Sequence, residues 1–278
     1  MPDYPKPSVL VSGFDSLEGP AFDRQGNLYF VNWLSSQILK TDWDGHVTEF
    51  YNTGGIPAGL AFHPDGSLYV ADEGDDIHGV LRITPDGKGE ILVNEFEGRP
   101  LNGANDLVFD RDGALYFSDP WRSSHENPIG GFYRFSPDGT LEQIDTGLAF
   151  PNGVAIDAEE AYVYLAETGE RRILRYALRA DGSIGEREIW AATGTQSGPD
   201  GMALAANGDV LVAQYGSARI DVLDQAGNAR EPIPVPGPNP TNCAFGGSDR
   251  DRLVVTEVAT GSIYAYHLDF SGQPLHDR

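Results

Sequence analysis

The sequence has little of three things that commonly define a protein's setting: cysteine, positive charge and long apolar runs. Its one cysteine, Cys243, excludes an intrachain disulfide, and its small and apolar neighbours are typical of a buried, unreactive thiol. There are 19 lysines and arginines against 42 aspartates and glutamates, so the net charge is −23 at pH 7. A surface of this charge repels nucleic acids and anionic membranes, and we expect neither as a partner.

No stretch of the sequence approaches the roughly 20 apolar residues that a membrane-spanning helix needs. Residues 1–10 contain no apolar segment of the kind found in secretory signals, so we expect a cytoplasmic protein. Helical periodicity is also absent, whereas 34 glycines and 19 prolines are spread along the chain. This distribution is typical of many short strands joined by turns, and 278 residues suit one large all-β domain.

What the sequence does contain is a segment of about 15 residues that occurs six times. The six segments cover 18–32, 58–72, 105–119, 152–167, 200–214 and 242–257. Each begins with a short apolar strand, continues through a turn such as "HPDG" and ends in a strand rich in tyrosine and valine. Two further strands follow each segment. Four antiparallel strands at a period of about 40–50 residues are typical of a propeller blade. A β-sandwich is the alternative, and it is disfavoured because six matched units do not easily arise by chance.

The pattern therefore predicts an all-β fold, a six-bladed β-propeller of four-stranded antiparallel blades, as a single domain over 1–278. The last unit has strands near 243–246, 253–257 and 262–268 but no fourth strand before the chain ends. Residues 8–13 resemble a fourth strand and are predicted to complete the last blade. Closing the ring in this way removes exposed sheet edges.

Five of the six blades begin with a polar residue, where the first strand of a blade lines the central channel. In chain order the six residues are Glu18, Ala58, Asn105, Asn152, Asp200 and Asn242. Buried amides and carboxylates are costly unless they are paired or bound. Glu18 and Asp200 would supply charge to a divalent cation, and Asn105 and Asn152 would supply neutral oxygens. We therefore predict a metal site of these four residues, with a water-filled polar channel as the alternative; Asn242 either reaches the site or only caps a loop.

A second set of polar residues ends the second strand of each blade, which runs back to the same face. These residues are Asn32, Asp72, Asp119, Glu167, Gln214 and Glu257. Any of them could be a solvated loop residue or a contact to ligand or substrate. We predict a substrate contact for Asp119, with Trp121 and Arg122 beside it on a long loop, and for Tyr215.

Several spaced motifs resemble one family of propellers. They are "LNGANDLVFDRDGALYFSDP" at 101–120, "FPNGVAID" at 150–157, "SGPDGMAL" at 197–204 and "PTNCAFGG" at 240–247. They look like the gluconolactonase, regucalcin and luciferin-regenerating-enzyme family, and "NPIGGFYRFSPDG" is similar to its drug-responsive lactonase branch. The resemblance implies metal ligands at Glu18, Asn152 and Asp200, and a metal or substrate contact at Asn105. One departure is Gly103, where regucalcin-like members carry an arginine that helps hold substrate.

These features together predict a hydrolase that opens a sugar-acid lactone with a metal-activated water, Asp200 being both ligand and general base. Calcium is the favoured ion, with zinc, magnesium, manganese and ferrous iron open. The expected partner is a small-molecule lactone, and the expected state is a monomer. Two alternatives stay open: a phosphotriesterase-like enzyme of the diisopropyl-fluorophosphatase type on the same site, and a non-catalytic binding propeller.

Overall fold

Six four-stranded antiparallel sheets make up the protein, in a computed structural model that describes residues 4–194 and 198–274. We call the sheets blades 1 to 6 in chain order. The strands of blades 1 to 3 are β2 (Leu17–Phe22), β3 (Leu28–Asn32), β4 (Gln37–Thr41) and β5 (Val47–Asn52); β6 (Pro57–Phe62), β7 (Leu68–Asp72), β8 (Gly79–Ile83) and β9 (Gly89–Val93); and β12 (Leu107–Phe109), β13 (Leu115–Asp119), β14 (Gly130–Phe135) and β15 (Leu141–Leu148). A two-stranded pair, β10 (Glu95–Phe96) and β11 (Arg99–Pro100), separates blades 2 and 3.

Blades 4 to 6 repeat the same order. Their strands are β16 (Pro151–Ile156), β17 (Tyr162–Glu167), β18 (Arg172–Ala177) and β19 (Glu188–Ala192); β20 (Gly198–Leu204), β21 (Val210–Tyr215), β22 (Arg219–Leu223) and β23 (Ile233–Pro234); and β24 (Pro240–Gly246), β25 (Arg252–Glu257), β26 (Ser262–His267) and β1 (Ser8–Ser12). The only helical elements in the described residues are two 3₁₀ turns, Trp33–Ser35 and Thr168–Glu170. The prediction of a six-bladed propeller is confirmed; its extension as one domain over all of 1–278 stays a prediction, since residues 1–3 and 275–278 lie outside the described part.

The N-terminal strand closes the ring as predicted. β1 pairs with β26, so that Ser8 lies opposite Ala265 and Ser12 opposite Ser262. Blade 6 is thus built from both ends of the chain. Thr241 also donates a hydrogen bond from its hydroxyl to the Leu17 carbonyl at 2.8 Å, which ties the inner strand of blade 6 to that of blade 1. All four strands of blade 6 are therefore paired, in the order β1-β26-β25-β24.

The core lies between neighbouring blades. Each cluster of buried apolar side chains contains residues of two adjacent sheets, so each blade packs against the next. Tyr29 of blade 1, for example, meets Phe62 of blade 2 edge-on at 4.9 Å between ring centroids, and Tyr69 meets Phe109 of blade 3 at 4.8 Å. Edge-to-face pairs of this kind add to the burial of apolar area. Cys243 lies in such a cluster and is 3% exposed, which confirms the predicted buried thiol.

No helix among residues 4–194 and 198–274 has the length and apolar character needed to cross a bilayer.

Candidate metal centre

Irregular pairing of the inner strands directs the predicted ring residues at one end of the channel. In five blades the register between the inner strand and its neighbour shifts at this point. The shifts fall between Glu18 and Ala21, Pro57 and Leu60, Pro151 and Val154, Pro199 and Met202, and Pro240 and Asn242. Bulges re-aim side chains and are common beside functional sites. The ring residue lies within the shift in blades 2, 4 and 5 and borders it in blades 1 and 6.

Close approach between blades makes the ring residues consecutive neighbours around the channel. Gly153 follows Asn152, and a Cβ on it would lie 2.4 Å from the Asp200 carbonyl oxygen. A Cβ on Gly201 would lie 1.9 Å from Cγ of Asn242. The Asn242 amide then donates to Oε2 of Glu18 at 3.0 Å, which joins blade 6 to blade 1. A residue larger than glycine at 153 or 201 would push adjacent ring members apart.

The ring asparagines have their amide nitrogens engaged by protein groups. Asn105 donates from Nδ2 to Oε1 of Glu73 at 2.8 Å, and Asn152 donates from Nδ2 to the Thr168 hydroxyl at 3.3 Å. An amide whose nitrogen is held in this way presents its carbonyl oxygen on the other side. Asn242 differs, because its Oδ1 also accepts from the Cys243 N–H at 2.8 Å. Asn242 therefore braces Glu18 and caps the local backbone. The Asn105 amide turns its oxygen away from Glu73, and the Asn152 amide also donates a hydrogen bond to the Asp200 carboxylate.

The carboxylates of the ring lie in a setting that disfavours their charged form. Burial raises the pKa of Glu18 well above its usual value, and the charge of Asp200 raises it further. Burial likewise raises the pKa of Asp200, with Asp106 adding to the effect. No ion pair within the described residues involves any of these three carboxylates. Uncompensated acidic groups beside neutral amide oxygens are the donor set that suits a hard divalent cation, so the residues present fit such an ion.

Asp106 is a buried carboxylate of this region that the sequence reading did not single out. Its Oδ2 accepts from the Val154 N–H at 2.8 Å, and burial raises its pKa to about 7. It follows the ring residue Asn105 at the place where blades 1, 2, 4 and 5 have glycine. That departure from the repeat was visible in the sequence and could have marked the residue.

Glu73 is a second carboxylate that the sequence reading left out. It directly follows Asp72, the last residue of β7, and is 7% exposed. Burial raises its pKa to about 7, opposed by the hydrogen bond from Asn105. The sequence gives little indication that Glu73 is buried, because an acidic residue after a strand is usually solvated.

The predicted substrate contacts occupy different settings. Asp119 is 1% exposed and accepts from the Gly103 N–H at 2.7 Å and the Asn102 N–H at 3.0 Å, so it holds the loop that leads to Asn105. Trp121 lies over the same loop, and its backbone N–H donates to the Gly103 carbonyl at 3.4 Å. These two residues are thus built around the segment that carries Asn105.

The other two predicted contacts are exposed. Tyr215 is 38% exposed and pairs with Gly198, two residues before Asp200. Arg122 is exposed, and its guanidinium pairs with Asp75 at 2.6 Å on the surface. The structure therefore brings Tyr215 beside the segment that carries Asp200, and engages Arg122 in an ion pair. The substrate roles of all four residues stay predictions.

A cavity of about 170 Å³ runs along the channel below the ring. Asp106 and Asn242 line it together with apolar residues such as Leu60, Val154 and Met202. Gln273 also lines this cavity and donates from Nε2 to the Ile156 carbonyl at 2.6 Å.

A tighter acidic group lies on the surface, away from the channel. Asp42, Asp44 and His46 bring their ligating atoms within 4.8 Å of one another in the turn between β4 and β5. Asp42 accepts from the N–H groups of Asp44 at 2.9 Å and His46 at 3.1 Å, and its other oxygen meets the His46 ring at 3.0 Å. These hydrogen bonds are typical of a turn, and they explain why the three side chains lie close together.

Comparison with known proteins assigns the family. The profile of the SMP-30/gluconolactonase/LRE-like region matches residues 17–259. The chain belongs to this family. The matched range runs from the inner strand of blade 1 to just after β25, the second strand of blade 6, and includes every ring residue. The family resemblance carried by the sequence motifs is confirmed.

Individual relatives agree with this assignment. Diisopropyl-fluorophosphatase of Loligo vulgaris is 30% identical over 92% of this chain and 90% of its own length. Lactonase drp35 of Staphylococcus aureus (strain MW2) is 31% identical over 80% of this chain and 70% of its own. Among solved structures, the gluconolactonase XC5397 of Xanthomonas campestris superposes with a TM-score of 0.82 and 26% identity, covering 95% of this chain and 89% of that one. All three names denote hydrolytic enzymes, and the prediction that the chain is an enzyme of this class is confirmed.

Proposed function

We propose that the protein is a divalent-metal-dependent lactonase that hydrolyses a sugar-acid lactone to the corresponding hydroxy acid. One observation carries the proposal. Glu18 and Asp200 lie in one ring with Asn105 and Asn152, whose amide nitrogens are engaged by Glu73 and Thr168. The names of the curated lactonase and gluconolactonase relatives support the choice of substrate class.

Four residues would hold the cation: Glu18, Asn105, Asn152 and Asp200. A divalent ion bound there polarises an ester carbonyl and lowers the pKa of a nearby water molecule. Calcium suits an all-oxygen set with two carboxylates, and zinc, magnesium, manganese and ferrous iron are the competing candidates. Asn242 would keep Glu18 in place through the hydrogen bond from its amide to Oε2.

The chain's own groups would direct the reaction. Asp200 would accept a proton from the attacking water. Burial and the nearby charge of Asp106 raise the pKa of its carboxyl group, which favours proton uptake. Asn105 would orient the substrate oxygens. The ring-opened product leaves as a hydroxy acid, with the alkoxide oxygen taking up the proton.

The test combines metal content with turnover. Purified protein is assayed for bound metal, and a panel of sugar-acid lactones is followed by proton release with and without a chelator. The Asp200→Ala variant should lose about 100-fold or more of the activity because it removes both a ligand and the base. Asp249→Ala, at an exposed carboxylate, is the matched control. Turnover that survives both the chelator and Asp200→Ala would contradict the proposal.

A second candidate is a phosphotriesterase-like hydrolase using the same ring. The similarity to diisopropyl-fluorophosphatase over 92% of the chain favours it. Adding a fluorophosphate ester to the panel separates the two: bound metal with fluorophosphate turnover and weak lactone turnover selects the second candidate.

We also propose that the enzyme acts as a cytoplasmic monomer on a small molecule alone. The closed ring of blades leaves no inner sheet edge that needs a second copy. Light scattering should therefore give a mass near the 30.1 kDa of one chain, and a dimer mass would contradict this.

A further inference from the structure

Blade 2 is the one blade whose ring position carries no polar side chain. Ala58 stands there and is 5% exposed. This blade nevertheless contacts a ring residue through a polar group, the carboxylate of Glu73, which is 7% exposed. A buried carboxylate is costly unless something pairs with it, and Glu73 takes part in none of the ion pairs found in the described part of the chain. Its position therefore calls for a specific reason.

The one polar contact that explains Glu73 leads to the next blade. Oε1 of Glu73 accepts from Nδ2 of Asn105 at 2.8 Å, across a separation of 32 residues. Because an amide has one donor end and one acceptor end, this bond turns Oδ1 of Asn105 away from Glu73. Without an acceptor at 73, the amide nitrogen of Asn105 would be free to turn towards the buried carboxylates of the ring, and that orientation would present N–H groups to a cation.

The backbone around Glu73 is held in place. Its N–H donates to the Ile56 carbonyl at 2.9 Å, and the following Gly74 N–H donates to Oδ1 of Asp72 at 2.8 Å. The loop before Asn105 packs directly on it: a Cβ on Gly103 would come within 3.0 Å of the Glu73 Cα. Acceptor and donor are thus carried by two loops with no room to drift apart.

Blade 4 uses the same arrangement with a neutral residue. Thr168 also directly follows the last residue of its second strand, and its hydroxyl accepts from Nδ2 of Asn152 at 3.3 Å. The hydroxyl donates in turn to the Pro199 carbonyl at 2.6 Å. Two equivalent positions in the repeat, 73 and 168, therefore accept from the ring residues Asn105 and Asn152. Glu73 and Thr168 both accept a hydrogen bond from an asparagine amide, although only glutamate can carry a charge.

We propose that Glu73 is a positioning residue of the ring, whose carboxylate sets the Asn105 amide with its oxygen towards the channel. This inference rests on the proposed function, since the ring must bind a cation for the amide orientation to matter. Glu73 acts through Asn105 and the hydrogen bond between them. The neutral isostere glutamine, which keeps an acceptor oxygen, can therefore replace it.

Calcium titration of chelator-treated protein tests the proposal without an activity assay. Glu73→Leu removes the acceptor and should weaken calcium binding by about 10–100-fold, the usual effect of losing a group that orients a ligand. Glu73→Gln should recover most of the affinity. Glu95→Leu, at an exposed glutamate of the neighbouring β10, is the matched control and should bind as the unaltered protein does.

Each result decides the matter. If Glu73→Gln lowers the calcium affinity as much as Glu73→Leu does, or if neither variant changes it, the positioning role is wrong while the metal site stands. If the unaltered protein and Asp200→Ala both bind no divalent cation, the proposed function fails and this inference with it. Should Glu73→Leu not fold, Glu73→Gln decides alone, because a tenfold loss in that variant overturns the proposal.

Discussion

At the scale of single residues, the polar positions that end the second strands prove to be internal braces. All six are buried, and five of them accept a hydrogen bond from the loop that leads into the inner strand. The donor and acceptor pairs are the Ser16 hydroxyl to Asn32, Ile56 N–H to Asp72, Gly103 N–H to Asp119, Ala149 N–H to Glu167 and Asn239 N–H to Glu257. Each bond holds the segment just before a ring residue. These residues therefore position the ring from behind.

Removing one brace should cost stability. Asp119→Ala leaves the N–H groups of Asn102 and Gly103 buried without their acceptor, and we expect the free energy of unfolding to fall by about 3 kcal/mol or more. Denaturant unfolding measures the change. Glu142→Ala, at an exposed acidic residue of the same blade, should stay within about 0.5 kcal/mol. Equal stability of the two variants, with a rise in KM only for Asp119→Ala, would instead indicate that Asp119 serves substrate binding alone.

At the scale of elements, the fold depends on a strand contributed by the far end of the chain. β1 adds Val11, which is 5% exposed, to a cluster that includes Leu17, Phe30 and Ile263. On the same strand Val9 is 57% exposed. The closing strand therefore has one face that packs and one that meets water.

This difference gives a matched pair of variants. Val11→Asp puts an unpaired charge among apolar side chains and should lower the free energy of unfolding by about 3 kcal/mol or more. Val9→Asp, two residues away on the water side, should cost less than about 1 kcal/mol. Thermal and denaturant unfolding of both variants provide the measurement. Similar losses in the two would mean that closure depends on backbone pairing and little on the buried face.

At the scale of the whole molecule, the inner strands of different blades bring several buried carboxyl groups together in the channel. The chain carries a net charge of −23, and the carboxyl groups of Glu18, Asp106 and Asp200 meet in the channel. Their pKa values are raised in the folded state, that of Asp106 to about 7. Groups of this kind stabilise the fold while they are protonated, and this stability is lost as the pH rises from about 4 towards 7. A bound divalent cation would offset the loss by compensating the charges.

Metal removal should therefore matter more at high pH. We expect a chelator to lower Tm clearly at pH 8, where the carboxyl groups are charged, and only slightly at pH 5, where protons and metal compete for them. Calorimetric melting curves at both pH values, with and without chelator, make the comparison. The Asp106→Asn variant should flatten the pH dependence of the metal-free protein. A chelator effect that is larger at pH 5 would contradict the assignment of the ring as the metal site.

The sequence by itself determined the architecture and the ring positions, because each blade repeats its strands and turns within about 40–50 residues of local sequence. Aligning the repeats places Glu18, Asn105, Asn152 and Asp200 at equivalent positions, and the inner strands carry them to one face. Only the tertiary structure decided which groups meet across blades. The bond from Asn105 to Glu73 and the contact of Asp106 with Val154 join segments that no local pattern relates. Contacts of this kind depend on how closely neighbouring sheets pack, and that distance is set by side chains from two blades together.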